Sequence, residues 1–177
     1  VELARMMIYL CEACGRKVRA MITDMNEPLG RAIGNALEVK EAVDTLRGQG
    51  PADFTELVLS SGANFLAVAG LTADKTEGRR KMEAVIADGS ALNKLKQMVR
   101  AQGGDADQIE HPELLPKADF VTPVFSKERG YIRRARALEL GRLAMEIGAG
   151  RETKENVIHP ETGIVLGKKT GDFVKSG

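Results

Sequence analysis

The chain has 177 residues, which is enough for one domain, or one and a half, with a buried core. Its 26 Lys and Arg residues nearly balance its 25 Asp and Glu residues, and Trp is absent. This composition gives no electrostatic reason to expect a nucleic acid or an anionic membrane as partner. No apolar run could span a bilayer and the first residues lack a signal peptide's apolar stretch, so a cytoplasmic location is predicted.

Apolar residues recur at helical spacing over residues 2–15, and Cys11 and Cys14 lie near the end of this predicted helix. Zinc would need two further soft ligands, and a redox pair would need the start of a helix rather than its end. We therefore interpret the two cysteines as buried structural thiols. Residues 17–23 predict a short strand.

The segment 28–35 places Gly30 and Gly34 four residues apart just before a predicted helix. Backbone N–H groups in such a segment could bind an anion and its carbonyl groups could face a cation. A structural turn followed by a helix cap is the alternative. Asn35 is predicted as the N-cap, with Glu38 completing a capping box and the helix ending near Gly48.

The remaining elements predict a mixed α/β chain whose first part is rich in helices and whose last part is a small α+β segment. Helices are expected at 53–69, 74–88, 90–102 and 136–147, and strands or extended chain at 120–125, 130–132 and 162–172. Prolines cluster at 112–123, which places a domain boundary near residue 117.

Two kinds of residue could suggest other chemistry. His111 and His159 each directly precede a proline, without a nucleophile close in sequence, and are interpreted as loop residues rather than catalytic ones. The arginines at 129, 133, 134 and 136 are diluted by glutamates and lack an aromatic ladder. A solvated face is preferred there over a phosphate or nucleic-acid patch.

Two long motifs are more specific than any of these patterns. The first is ITDMNEPLGRAIGNALEVKEA at 22–42, and the second is LAMEIGAGRETKENVI at 143–158, followed by GIVLGKKTGD at 163–172. In this order and spacing they resemble the pyrimidine-nucleoside phosphorylase and thymidine phosphorylase family over nearly the whole chain. Asn156 and His159 depart from that resemblance, because aspartates are expected there.

The resemblance implies that residues 1–116 are the C-terminal part of a catalytic α/β domain. It implies that residues 117–177 are a truncated, α/β-hammerhead-like C-terminal lobe. Family members cleave pyrimidine nucleosides with inorganic phosphate to give the free base and a pentose 1-phosphate, and they are typically homodimers. Their phosphate-binding and base-binding residues lie upstream of the matched region, so no catalytic or substrate-binding residue is assigned here. Because the chain also begins without Met, a fragment that is inactive alone is expected.

One ligand implied by the resemblance falls on this chain. Several family members bind a monovalent cation, usually potassium, beside the phosphate loop. The corresponding ligands here are the backbone carbonyls of Leu29 and Ala32 and the carboxylate of Glu41, which would form half of the site. Oxygen ligands suit a hard cation. The alternative is that Glu41 is only a solvated helix residue.

Two other functions remain open from the sequence. The chain could be a stand-alone binding or structural module that reuses the fold without catalysis. A related phosphoribosyltransferase is a further alternative, but the second motif fits that class poorly.

Overall fold

The structure is a computed structural model that describes residues 1–177. It contains seven α-helices, a short 3₁₀ helix and four two-residue strands. The helices are α1 (Glu2–Ala13), α2 (Asn35–Leu46), α3 (Ala52–Val68), α4 (Lys75–Ala87), α5 (Ser90–Ala101), α6 (Asp107–Glu110) and α7 (Ala137–Glu146), with the 3₁₀ turn at Pro112–Leu114. The strands are β1 (Ala32–Ile33), β2 (Gly130–Tyr131), β3 (Ile164–Val165) and β4 (Phe173–Val174). The predicted mixed α/β class is confirmed.

Helices α3 and α4 form the most extensive packing in the chain. Buried Ala63 on α3 faces buried Gly78 on α4, and these small residues let the two helices approach closely. At the surface Arg79 donates to both oxygens of Glu56, each at 2.8 Å, and so links the same two helices. The hydrogen bonds from Arg79, together with one from Ser60, lower the pKa of Glu56 to about 2.

The two sheets join distant parts of the sequence. Strand β1 pairs antiparallel with β3, with Ala32 opposite Val165 and Ile33 opposite Ile164. Strand β2 pairs antiparallel with β4, where the Tyr131 and Phe173 rings meet edge to face at 5.3 Å. The β1–β3 pair fastens the C-terminal segment directly onto the loop that precedes α2.

The core of the chain is small. Only 14 of the 177 residues are buried, and Val43 on α2 is the one large side chain that is fully enclosed. Many large apolar side chains are exposed instead, including those on α1 and in the segment 120–125. No helix combines the length and apolarity needed to cross a bilayer.

Three local predictions are wrong. Residues 17–23 form no strand, because no other strand lies beside them to take their backbone hydrogen bonds. Cys11 is half-buried and Cys14 is exposed, since α1 buries none of its residues. The cap of α2 is Gly34 rather than Asn35, and the Glu38 carboxylate accepts from the Gly34 N–H at 3.0 Å.

Segments 120–125 and 162–172 were expected to be extended or strand-like over longer stretches. The first forms no strand, and the second contributes only β3. The division of the chain at residue 117 and the hammerhead-like form of the C-terminal lobe stay predictions.

Candidate functional site

The candidate site is built around the loop 27–32, which enters β1 and then turns into α2. Glu41 lies in the second turn of α2, and the carboxylate points back at this loop. Its Oε1 accepts from the backbone N–H of Arg31 at 2.9 Å and of Ala32 at 3.1 Å. The carboxylate therefore fixes two consecutive amides of the loop, and Glu41 is not simply a solvated helix residue.

Gly30 allows this close approach between the loop and α2. It is buried and has a φ of +68°, a left-handed backbone conformation that residues other than glycine rarely adopt. A Cβ atom at Gly30 would lie 2.1 Å from Glu41 Oε2, which is inside any permitted contact. Glycine is therefore required at this position for Glu41 to reach the Arg31 and Ala32 amides.

The chain crosses itself where β1 ends. A Cβ on Gly34, whose φ is +136°, would lie 2.5 Å from the carbonyl oxygen of Thr162. A Cβ on Gly163 would lie 2.2 Å from the carbonyl oxygen of Ile33. Two glycines thus face each other where the C-terminal segment passes over the start of α2, and this contact fixes the position of Glu41's helix relative to β3.

The carbonyl groups of Leu29 and Ala32 are available to a ligand. No side chain and no loop N–H donates to either of them. In the β1–β3 ladder Leu166 N–H donates to the Arg31 carbonyl at 2.8 Å. This pattern makes Ala32 and Val165 the pair without ladder hydrogen bonds, so the Ala32 carbonyl is turned away from β3.

These residues fit a hard monovalent cation as a partial ligand set. They offer carbonyl oxygens and one carboxylate oxygen, Glu41 Oε2, that no hydrogen-bond donor occupies. Nowhere in the chain do three His, Cys, Asp or Glu side chains come together as a group that could hold a metal ion. The assignment of potassium to Leu29, Ala32 and Glu41 stays a prediction.

Asp53, in the first turn of α3, supports the same loop from the other side. Its Oδ2 accepts from the Gly30 N–H at 3.0 Å and also from the Lys169 ammonium group. Burial acts to raise the pKa of Asp53, but the hydrogen bonds from Lys169, Gly30 and the Phe54 backbone outweigh it. The net result is a pKa below the ordinary value, so Asp53 is a carboxylate at neutral pH.

The Arg31 side chain contacts the C-terminal segment. Its guanidinium donates to the carbonyl groups of Leu166 at 3.1 Å and Gly167 at 2.8 Å. Its guanidinium forms no ion pair with Glu41, whose carboxylate accepts from the two loop amides. Beside Glu41 opens a cleft of about 320 Å³, which Arg31, Lys40 and Asp44 also line.

Comparison with known proteins shows which family the chain belongs to. Residues 1–92 match the model of the glycosyl transferase family, a/b domain. The chain belongs to this glycosyl transferase family. Residues 131–177 match a second model, the pyrimidine nucleoside phosphorylase C-terminal domain. The match to the a/b domain includes the loop 27–32, α2 and α3. The match to the C-terminal domain includes Lys169.

Individual relatives of the glycosyl transferase family are similar over the whole chain. A pyrimidine-nucleoside phosphorylase of Geobacillus stearothermophilus is 47% identical over 175 residues, or 99% of this chain. One of Staphylococcus aureus (strain USA300) is 46% identical over the same length. The chain spans 40% of the length of each of these relatives. The resemblance to pyrimidine-nucleoside phosphorylases expected from the two motifs is confirmed.

The other sequence candidates lie apart from this site. His111 and His159 are exposed loop residues, each beside a single glutamate, Glu113 and Glu161. Conversely, sequence analysis missed Asp53 and assigned no role to Lys169, although Lys169 lies in the second motif. The start of α3 after a Gly-Pro break was the only local signal for Asp53.

Proposed function

We propose that the chain is the C-terminal part of a pyrimidine-nucleoside phosphorylase. In this proposal the whole enzyme cleaves uridine- or thymidine-type nucleosides with inorganic phosphate, giving the free base and a pentose 1-phosphate. The observation that supports it best is the 47% identity to such an enzyme over 99% of the chain. The exposed apolar residues of α1 and of the segment 120–125 favour further protein packed against them.

The chain's own contribution is structural support for a binding loop. Glu41 and Asp53 hold the amides of Gly30, Arg31 and Ala32, which keeps the Leu29 and Ala32 carbonyls at one place. A potassium ion bound there would supply a fixed positive charge near the phosphate site of the whole enzyme. The groups that bind phosphate and base are proposed to lie upstream of this chain.

The remaining parts of the proposal concern the whole protein. We place it in the cytoplasm as a homodimer, with nucleoside and phosphate as its ligands and without a nucleic acid or membrane partner. The alternative function is a non-catalytic module that reuses the fold. The intact mass of the native protein separates the two, because the module would have the mass of this chain and the phosphorylase would be more than twice as long.

Activity assays provide the direct test. The full-length protein is expected to release uracil or thymine from uridine or thymidine only when phosphate is present, and the 177-residue chain is expected to release none. Arsenate is a close analogue of phosphate, so it should replace phosphate in base release by the full-length protein. The chain alone should release no base with arsenate either. Phosphate-dependent release by the chain alone would show that catalysis does not depend on upstream residues.

A further inference from the structure

Lys169 reaches from the C-terminal segment into the wall of the candidate loop. Its ammonium group donates to the Pro28 carbonyl at 2.8 Å and to Asp53 Oδ2, and Glu27 Oε1 lies 3.7 Å away. The side chain is only 13% exposed. A lysine charge removed from water to this extent is stable only when it is paired and hydrogen-bonded, and here it has both kinds of partner.

The residue that follows Lys169 continues the same junction. The Thr170 N–H donates to Glu27 Oε2 at 3.2 Å, and its Oγ1 accepts from the Ala135 N–H at 3.0 Å. The Ala137 N–H donates to the Asn26 carbonyl at 3.0 Å. The first half of the loop is therefore fastened to residues 135–170 at several points.

Asp53 connects this junction to the second half of the loop. The oxygen that accepts from Lys169 also accepts from the Gly30 N–H, and Gly30 is the residue that contacts Glu41. Without the ammonium group, Asp53 would be a partly enclosed carboxylate with one fewer donor and less reason to stay against Gly30. The conformation of the loop thus depends on a side chain that lies 116 residues from its carboxylate partner in sequence.

We propose that Lys169 is a positioning residue. It holds the loop 27–32 in the conformation in which Glu41 accepts from the loop amides. Through it the C-terminal segment controls whether the Leu29 and Ala32 carbonyls and the Glu41 carboxylate face a ligand together. The role in the loop's conformation stands on the structure of this chain. Its consequence for potassium binding rests on the proposed function.

The adjacent Lys168 offers a matched control. It is exposed and makes no hydrogen bond or ion pair, while sharing the same segment and side-chain chemistry. Amide hydrogen exchange of the chain, followed by NMR in Lys169→Met and Lys168→Met, separates the positioning role from general loss of a charge. The amides to follow are those of Gly30, Arg31 and Ala32.

We expect exchange of these three amides to become about tenfold faster in Lys169→Met, as fits the loss of one hydrogen bond to a charged group. Exchange in α4, at Arg79 to Ala84, should not change. Lys169→Arg should restore part of the protection because it keeps the charge and the donors. Unchanged loop exchange in Lys169→Met, or equal acceleration in Lys168→Met, would overturn the proposal.

If Lys169→Met loses its structure as a whole, two milder variants test the proposal instead. Asp53→Asn and Glu27→Gln each remove one partner's charge while keeping its shape. Asp53→Asn should accelerate exchange at Gly30 more than Glu27→Gln does, because only Asp53 contacts the Gly30 amide. Protection of Gly30 that is the same in both variants and in the wild type would refute the positioning role.

A second measurement on the full-length phosphorylase tests the consequence for the cation. Lys169→Met should raise the potassium concentration that gives half of the thermal stabilisation about tenfold, and Lys168→Met should leave it unchanged. A wild type without any potassium response would contradict the proposed cation site. The exchange result would then still decide the role of Lys169 by itself.

Discussion

Replacing Gly30 by alanine tests the packing of Glu41 against the loop. The new Cβ would lie 2.1 Å from Glu41 Oε2 and 2.9 Å from Cδ, so the carboxylate must move away. The carboxylate is the end of a flexible side chain, and its displacement costs little in itself. The larger cost is the loss of its hydrogen bonds to the amides of Arg31 and Ala32.

The magnitude follows from two contributions. An alanine in the left-handed backbone conformation costs about 1 kcal/mol relative to glycine. Two hydrogen bonds to a half-exposed carboxylate contribute together about 3 kcal/mol, taking the low end for charged groups. We therefore expect Gly30→Ala to lower the free energy of unfolding by about 4 kcal/mol. At about 2–4 °C per kcal/mol for a chain of this length, the midpoint of thermal unfolding should fall by about 8–16 °C.

Gly48→Ala is the matched control for this experiment. Gly48 has nearly the same φ, +76°, and a Cβ there would meet no atom within 4 Å. Gly48→Ala should lose only the backbone contribution of about 1 kcal/mol. In a Glu41→Gln background, Gly30→Ala should also approach this smaller value, since the bonds it disrupts are already weakened. Equal destabilisation by Gly30→Ala and Gly48→Ala would refute the reasoning.

Three further changes test other parts of the site. Glu41→Gln in the full-length protein should abolish most of the thermal stabilisation by potassium, because Gln keeps the shape but removes the charge. Asp53 has a lowered pKa and so stabilises the folded state fully above its ordinary value of 3.8; the advantage of wild type over Asp53→Asn should disappear as pH falls below that value through the folded pKa. Gly34→Ala should lower the unfolding midpoint by about 4–8 °C, because backbone strain and a clash with backbone atoms together cost about 2 kcal/mol.

Each of these results has a contradicting outcome. For the cation, Glu146→Gln is the control, since Glu146 is an exposed helix residue without a hydrogen bond; an equal loss of potassium response in both variants would remove Glu41 from the site. For Asp53, the ion pair with Lys169 and the neighbouring Glu27 carboxylate are the charges that face it, and an advantage of wild type over Asp53→Asn that does not decrease as pH falls below 3.8 would contradict the lowered pKa. For Gly34, an unchanged midpoint would show that the crossing with Gly163 is loose.

The helices were the part of the fold that sequence could predict. The bounds of α2 to α5 fall within two residues of those expected, because apolar periodicity and glycine punctuation act locally along the chain. Strand β1 was not expected at all, and the strand predicted at 17–23 does not form. A two-residue strand such as Ala32–Ile33 exists only because β3 lies beside it, and such distant pairing leaves no local signal.

The candidate site divides in the same way. Leu29, Ala32 and Glu41 were selected through resemblance of a continuous motif, and the structure places Glu41 on the loop that carries the other two. Asp53 and Lys169 lie far apart in sequence and meet only in the fold. Their charges alone could not predict the contact, because most charged side chains in such a sequence are solvated.

The pairing of Arg31 with Leu166 also sets an order of events during synthesis. These residues are 135 positions apart, so at roughly 5–20 residues per second the ribosome supplies the second on the order of ten seconds after the first. Until then the Arg31 carbonyl and guanidinium lack their partners, and Gly34 has nothing to cross. We expect the helices α2 to α5 to form early from local contacts and the loop beside Glu41 to reach its final conformation only after them.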